Sequence, residues 1–251
     1  MAWLRAGVGG LILIGLSACS GPQQVRWTPE ARFFVLDSSV PTDSALQVLL
    51  APYKRIYDSA LGQVIGYAPR TLERGRPEGA LGNFVADLML QWAHHQWPGR
   101  VHVALSNYGG LRAPLYAGSI TIGAIYEVMP FENTMTRLEF TGAQLLRLAD
   151  RIAEQGGHPI AGMRFRIRNR RAEEVRIGEE PVDPDRRYGL VTTNFVADGG
   201  DGILTPLGPP LEREDTIVLL REVIIAHIRS LFARNLPVEA HPDGRISAEE
   251  D

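Results

Sequence analysis

The stretch VHVALSNYGGLR (101–112) decides how this chain is read. Its first six residues, 101–106, form an apolar run of strand length that ends in a glycine loop, LSNYGGLR (105–112). The same design recurs downstream, where 188–196 reads as a strand and NFVADGGDG (194–202) as the loop that follows it. Glycine at a strand end permits positive φ and lets the backbone approach a ligand closely. Tight turns also use Gly, Asn and Asp for purely local reasons, so neither loop alone defines a site. A third loop, Pro130-Phe131-Glu132-Asn133, lies between them. Among their residues, Asn107, Arg112, Phe131, Asn133, Phe195 and Asp201 supply the composition of a polar ligand site with aromatic walls.

Outward from these loops the pattern alternates between helix and strand. Leu46, Leu49, Leu50, Tyr53, Ile56 and Tyr57 recur at helical spacing from about Ala45. Residues 62–73 read as a short strand and a loop. Phe84, Val85, Leu88, Met89, Trp92 and Ala93 mark an amphipathic helix over 82–95. Thr141 is placed to cap a helix through Glu154, with Gly156-Gly157 as its stop. MRFRIR (163–168) alternates in strict period two and predicts a half-buried strand, with a second near Val175 and Ile177 after a turn at 169–174. Asp215 is expected to cap a long helix whose stripe is Ile217, Leu220, Ile224, Ile228 and Leu231. Irregular interspersion of helices and strands over this length predicts a single mixed α+β domain, with layered sheets flanked by helices.

Composition narrows the function classes. The 251 residues carry 26 basic and 29 acidic side chains, a net charge of −3, which lacks the basic footprint of a polymeric nucleic-acid binder. Lys54 is the sole lysine, so no Walker A lysine is available. There is no GxSxG elbow, no HExxH, and no spacing of histidines and carboxylates that spells a metal site. No catalytic residue is assigned. The one cysteine, Cys19, excludes an intrachain disulfide and a Cys-based zinc site. It ends the segment MAWLRAGVGGLILIGLSAC, a positive n-region followed by an apolar run well short of the ~20 residues that span a bilayer. Leu16-Ser17-Ala18-Cys19 resembles the lipobox of bacterial lipoproteins. That likeness implies a signal peptide over 1–18, a lipid anchor on Cys19, a tether over 19–35, and a periplasmic or cell-surface location on a membrane. Ser20 after the cysteine points to the outer one.

EGALGNFVADLML (78–90), ALSNYGGLRAPLYAGSITIGAIYEVMPFEN (104–133), LEFTGAQL (138–145), VTTNFVADGGDGI (191–203) and DGR (243–245) resemble, in order and spacing, the C-terminal domain of the bacterial 5′-nucleotidase / UDP-sugar hydrolase family. The resemblance covers roughly 36–247. It implies that Phe131 and Phe195 sandwich a nucleobase, and that Asp201 binds ribose hydroxyls. It further implies that Asn107 and Arg112 reach polar atoms of the ligand, with Asn133 beside them. Arginine suits that task, because its planar fork can hold phosphate or stack on a base. Two positions depart from the family pattern: Tyr108 replaces a loop glycine, and Pro77 stands where an arginine is expected, with Arg74 and Arg76 out of register. The family's divalent metal pair belongs to a metallophosphatase domain whose Asp-x-His, Gly-Asn-His-Asp/Glu and Gly-His-x-His motifs do not occur in these residues. The resemblance therefore implies a nucleoside- or nucleotide-binding specificity domain, without cofactor of its own, that works with a metallophosphatase partner chain. The alternative is an interaction or scaffold lipoprotein that keeps the fold without the ligand. A related domain in thiosulfohydrolases offers a different substrate, against which the two phenylalanines weigh.

Overall fold

A computed structural model describes residues 40–248. The proposed signal peptide, Cys19 and the tether lie outside the described residues. The chain divides into two units, Met1–Gln47 and Val48–Asp251. In the first, the Asp43 carboxylate accepts from the N–H groups of Ala45 and Leu46 at 2.9 and 3.1 Å, a side-chain cap for a starting helix.

The elements in chain order are α1 (Ser44–Leu61), β1 (Val64–Ala68), α2 (Ala80–Gln96), β2 (Val103–Leu105), β3 (Gly118–Thr121), α3 (Ile122–Val128), β4 (Thr134–Thr141) and α4 (Gly142–Glu154). Then come β5 (Ile160–Ala161), β6 (Met163–Arg168), β7 (Arg171–Ile177), β8 (Glu180–Pro181), β9 (Arg187–Thr193), α5 (Asn194–Ala197), β10 (Glu212–Leu219), α6 (Leu220–Ala233) and β11 (Ile246–Ala248). The mixed α+β architecture expected from the sequence is present. A five-stranded sheet of order β10-β4-β9-β2-β5 lies between two hydrophobic clusters, with a four-stranded sheet β11-β6-β7-β8 and a β1-β3 pair beside it.

Alternation along each central strand builds both cores at once. Val103, Leu105, Leu138, Phe140 and Leu190 face α4 and the four-stranded sheet, where Leu145, Leu148, Ile152, Phe165 and Ile246 are buried. Ala104, Met135 and Val191 point the other way, onto Val85 and Met89 of α2, Ile125 of α3 and Ile224 and Ile228 of α6. Each large apolar side chain so buried contributes about 1.5–3 kcal/mol. Thr141 caps α4 as expected, its hydroxyl accepting from Gln144 N–H while the Gln144 side chain accepts from Thr141 N–H. Gly156 and Gly157, both at positive φ, then end the helix.

Three local expectations are corrected. Residues 212–219 are a strand rather than the start of a helix, and Asp215 accepts from Thr136 Oγ1 at 2.8 Å and from Arg213 instead of capping anything. An ion pair holds that strand to β4: Arg137, 1% exposed, reaches Glu212 across the strands at 2.8 Å and Glu139 on its own strand at 3.1 Å. Ile217, expected on the buried stripe, is 94% exposed. The strand expected over 188–196 ends at Thr193, whose hydroxyl caps α5. The 163–177 hairpin turns at Asn169-Arg170 alone, both at positive φ, so its second strand begins at Arg171. The helix expected from about Ala45 is present as α1, with Leu49, Leu50, Tyr53 and Tyr57 exposed.

Candidate functional site

β2 and β9 are neighbours and run parallel, with Val103 opposite Leu190 and Ala104 opposite Val191. Parallel strands deliver their C-terminal ends to the same sheet edge, so the two glycine loops emerge side by side. Thr192 Oγ1 donates to Leu105 O at 2.8 Å and locks the two ends together. At this edge the six residues expected from the sequence meet. Asn107, Arg112, Phe131, Asn133, Phe195 and Asp201 line one cleft of about 200 Å³, together with Gly109 and Gly110.

Each wall has a local cause. Phe195 sits in the first turn of α5, and the α-carbon of Gly200 lies against its ring: a β-carbon there would fall 2.4 Å from the ring. Glycine at 200 is therefore what allows the ring its place. Phe131 is held through its backbone. Arg221, buried at the start of α6, donates to the carbonyls of Met129 at 3.4 Å and Phe131 at 3.2 Å, and stacks on Tyr126 at 4.0 Å. Both phenylalanine rings remain about two-fifths exposed, an unusual state for two large apolar side chains in one cleft. The Arg112 guanidinium stands 6.0 Å from the Phe131 ring centre.

The polar wall is Asn107 with Asp201. Asn107 Nδ2 donates to Asp201 Oδ2 at 2.7 Å. Asn107 Oδ1 is buried and has no hydrogen-bond partner among the protein's atoms, although the residue is only 4% exposed. A buried acceptor without a donor is costly, and a ligand donor would satisfy it. Asp201 adopts the left-handed conformation, φ +55°, between Gly200 and Gly202. Asp tolerates this region better than most residues, and it turns the carboxylate towards Asn107.

Sequence reasoning missed the residues behind the cleft. Tyr108 points away from the cleft and lies between two arginines: the guanidinium carbons of Arg74 and Arg76 are each 4.4 Å from its ring centre. Arg74 also donates to the carbonyls of Tyr108 and Arg112, at 3.4 and 3.5 Å. His158 is buried and accepts from Tyr108 N–H. Burial, and then the charge of Arg76, push its pKa down to about 4, against a weaker upward pull from Asp201. No sequence signal marks this histidine, because Tyr108 lies 50 positions away. Arg221, 90 positions from Phe131, is equally silent.

A larger cavity of about 440 Å³ lies between α2, α6 and the C-terminal segment, but Asp87 and Asp243 on its wall are already engaged by Arg245. Among the described residues, no three His, Cys, Asp or Glu side chains come together to hold a metal ion. No described helix is long and apolar enough to cross a membrane.

Residues 61–207 match the family described as 5′-nucleotidase, C-terminal domain. The trifunctional nucleotide phosphoesterase protein YfkN of Bacillus subtilis (strain 168) is 34% identical over 175 residues, which is 61% of this chain and 12% of that protein. Protein UshA of Escherichia coli (strain K12) is 26% identical over 234 residues, 90% of this chain and 40% of UshA. Among solved structures, a 5′-nucleotidase precursor from Thermus thermophilus superposes with a TM-score of 0.73 at 29% identity, covering 85% of this chain and 45% of that one. The chain thus spans less than half the length of each of these relatives.

Proposed function

Since the chain belongs to the family of 5′-nucleotidase C-terminal domains, we propose that its cleft binds a nucleoside or nucleotide. One observation carries this reading: two half-exposed phenylalanines, Phe131 and Phe195, share a cleft with a hydrogen-bonded Asn–Asp pair that holds one spare buried acceptor. Aromatic faces accept any nucleobase, because every base has a π-face, while carboxylate and amide oxygens suit ribose hydroxyls and base N–H groups. The departure at Tyr108 leaves the cleft unobstructed, since that ring is turned outward onto Arg74 and Arg76. Phosphate hydrolysis is assigned to a separate metallophosphatase chain, because polarising phosphate and activating water with two metals needs ligands for both ions. No hydrolytic step is assigned to residues of this chain.

Calorimetric titration of the purified protein with adenosine, AMP and UDP-glucose tests the reading. Saturable binding of at least one is expected, and absence of heat with all three overturns it. The anchor is a separate proposal. Cells expressing the full chain should incorporate an alkyne-labelled fatty acid into it, and Cys19→Ser should abolish the label and release the protein from membranes. Undiminished labelling of the variant would place the lipid, if any, elsewhere.

A further inference from the structure

Behind the cleft a closed circuit of hydrogen bonds joins the two glycine loops through residues that line no part of it. Tyr108 N–H donates to His158 Nδ1 at 3.0 Å. His158 Nε2 meets Gln155 Oε1 at 2.7 Å, and Gln155 Nε2 donates to the carbonyl of Asp201 at 3.0 Å. Asp201 Oδ2 then receives Asn107 Nδ2, and Asn107 is covalently next to Tyr108. Donors point towards Asp201 along both arms, from Tyr108 through His158 and Gln155 on one and from Asn107 on the other. A backbone N–H can only donate, so Nδ1 is the bare nitrogen and the ring proton is on Nε2. That proton fixes Gln155 with its oxygen towards the imidazole and its amide group towards Asp201.

We infer that His158 and Gln155 are positioning residues of the ligand site, setting Asn107 against Asp201 only while the imidazole is neutral with its proton on Nε2. The inference rests on the nucleoside-binding reading for what the site is for, but the circuit itself stands on geometry. A second proton would sit on Nδ1 and oppose the Tyr108 N–H, donor against donor, opening the circuit at its first link. Arg76 and Arg151 face the ring with positive charge and Asp201 with negative charge, while Glu78 and Arg245 share the small cavity beside it. Arg76 also donates to the Gln155 carbonyl. The balance favours the neutral form, in agreement with the depressed pKa.

Adenosine, which carries no titrating phosphate, is the probe, titrated from pH 5 to 8 with melting temperatures measured in parallel. Wild-type affinity should stay level across this range. Gln155→Glu keeps the acceptor for Nε2–H, removes the donor to Asp201, and sets a carboxylate against the imidazole. An opposite charge at this distance raises the histidine pKa by roughly one to three units, so the variant's affinity should fall as pH drops through the window. Its melting temperature at pH 8 should fall by no more than the loss of the one hydrogen bond to Asp201 accounts for, so that the pH dependence of affinity carries the test. His158→Leu should weaken adenosine binding about tenfold at every pH, and His158→Asn, whose Oδ1 replaces Nδ1 as acceptor, about threefold. Level, wild-type-like affinity in Gln155→Glu, or equal loss in the Asn and Leu variants, overturns the inference.

If the wild type binds no adenosine, the nucleoside reading falls and the circuit is decided by NMR. His158 must then show the Nε2–H tautomer above pH 5, and the Asn107 side-chain amide signals must move in Gln155→Glu and His158→Asn. Unmoved Asn107 signals would refute positioning on their own.

Discussion

Phe195→Ala should weaken adenosine and AMP binding by about 1–3 kcal/mol, roughly 5- to 150-fold, because one stacking face of the base is lost. The upper half of that range is expected. The ring is seated against the Gly200 α-carbon, so no side-chain reorganisation is required before a base can stack on it. Phe131→Ala should cost a similar amount, and the double variant less than the sum, since both rings grip the same ligand. Phe232→Ala is the control. That ring is 49% exposed on α6 and lines no part of the cleft, so its removal should leave affinity unchanged. Calorimetry on the four variants reads the comparison directly. Equal affinity in Phe195→Ala and wild type would remove the base clamp from the proposal.

The second large effect concerns stability. Arg245→Met should destabilise the domain by about 3 kcal/mol, near the low end of what breaking a buried ion pair costs. Arg245 is 8% exposed and engages Asp87 at 2.6 and 3.0 Å, Asp243 at 2.9 Å and the carbonyl of Ile160 at 2.9 Å. Methionine fills the volume but takes the guanidinium from Asp87, Asp243 and the Ile160 carbonyl, leaving Asp243 the backbone N–H of residue 245. The estimate stays low because Asp87 keeps half of its surface in water. For a domain of this size the loss corresponds to roughly 6–12 °C in melting temperature. Its pH dependence has a definite sign. The Arg245 hydrogen bond holds the Asp243 carboxyl below its ordinary value. A depressed carboxyl stabilises the fold above its unfolded pKa, and that stability is lost as pH falls through the folded value. The gap between wild type and variant should therefore be full at pH 7 and shrink below about pH 4. A gap that is constant from pH 7 to pH 3 would contradict this account.

Much of the site was legible because it is written in local signals. Strand-end glycine loops and the Pro-Phe-Glu-Asn turn are short motifs whose chemistry does not depend on distant partners, and Asn107, Arg112, Phe131, Asn133, Phe195 and Asp201 do converge. The helix over 142–154 was equally legible, because its cap and its stop both lie in sequence. What could not be read depends on pairing. Asp215 followed by apolar residues at helical spacing looks like a helix start, yet residues 212–219 pair with β4 as a strand, with Arg137 reaching Glu212 across the pair. Tertiary pairing, not local pattern, decides between them. The exposed stripe of α1 shows the reverse limit, since periodicity reports an amphipathic face without saying whether anything covers it. His158 and Gln155 carry no motif at all. Their role exists only once loops far apart in sequence have met.

The parallel pairing of β2 with β9 has a kinetic meaning. Leu105 and Thr192, which seal the pair, are 87 positions apart, and Asn107 and Asp201 are 94 positions apart. Contacts of such long range carry the entropy of closing a large loop, which slows the folding of topologies that depend on them. A nascent chain therefore has both halves of the cleft and no affinity until that closure is complete. A ligand bound across the two loops bridges the same 94-residue span and stabilises the closed state by mass action. A ligand that spans the two loops would therefore act as a clasp on the same chain that selects it.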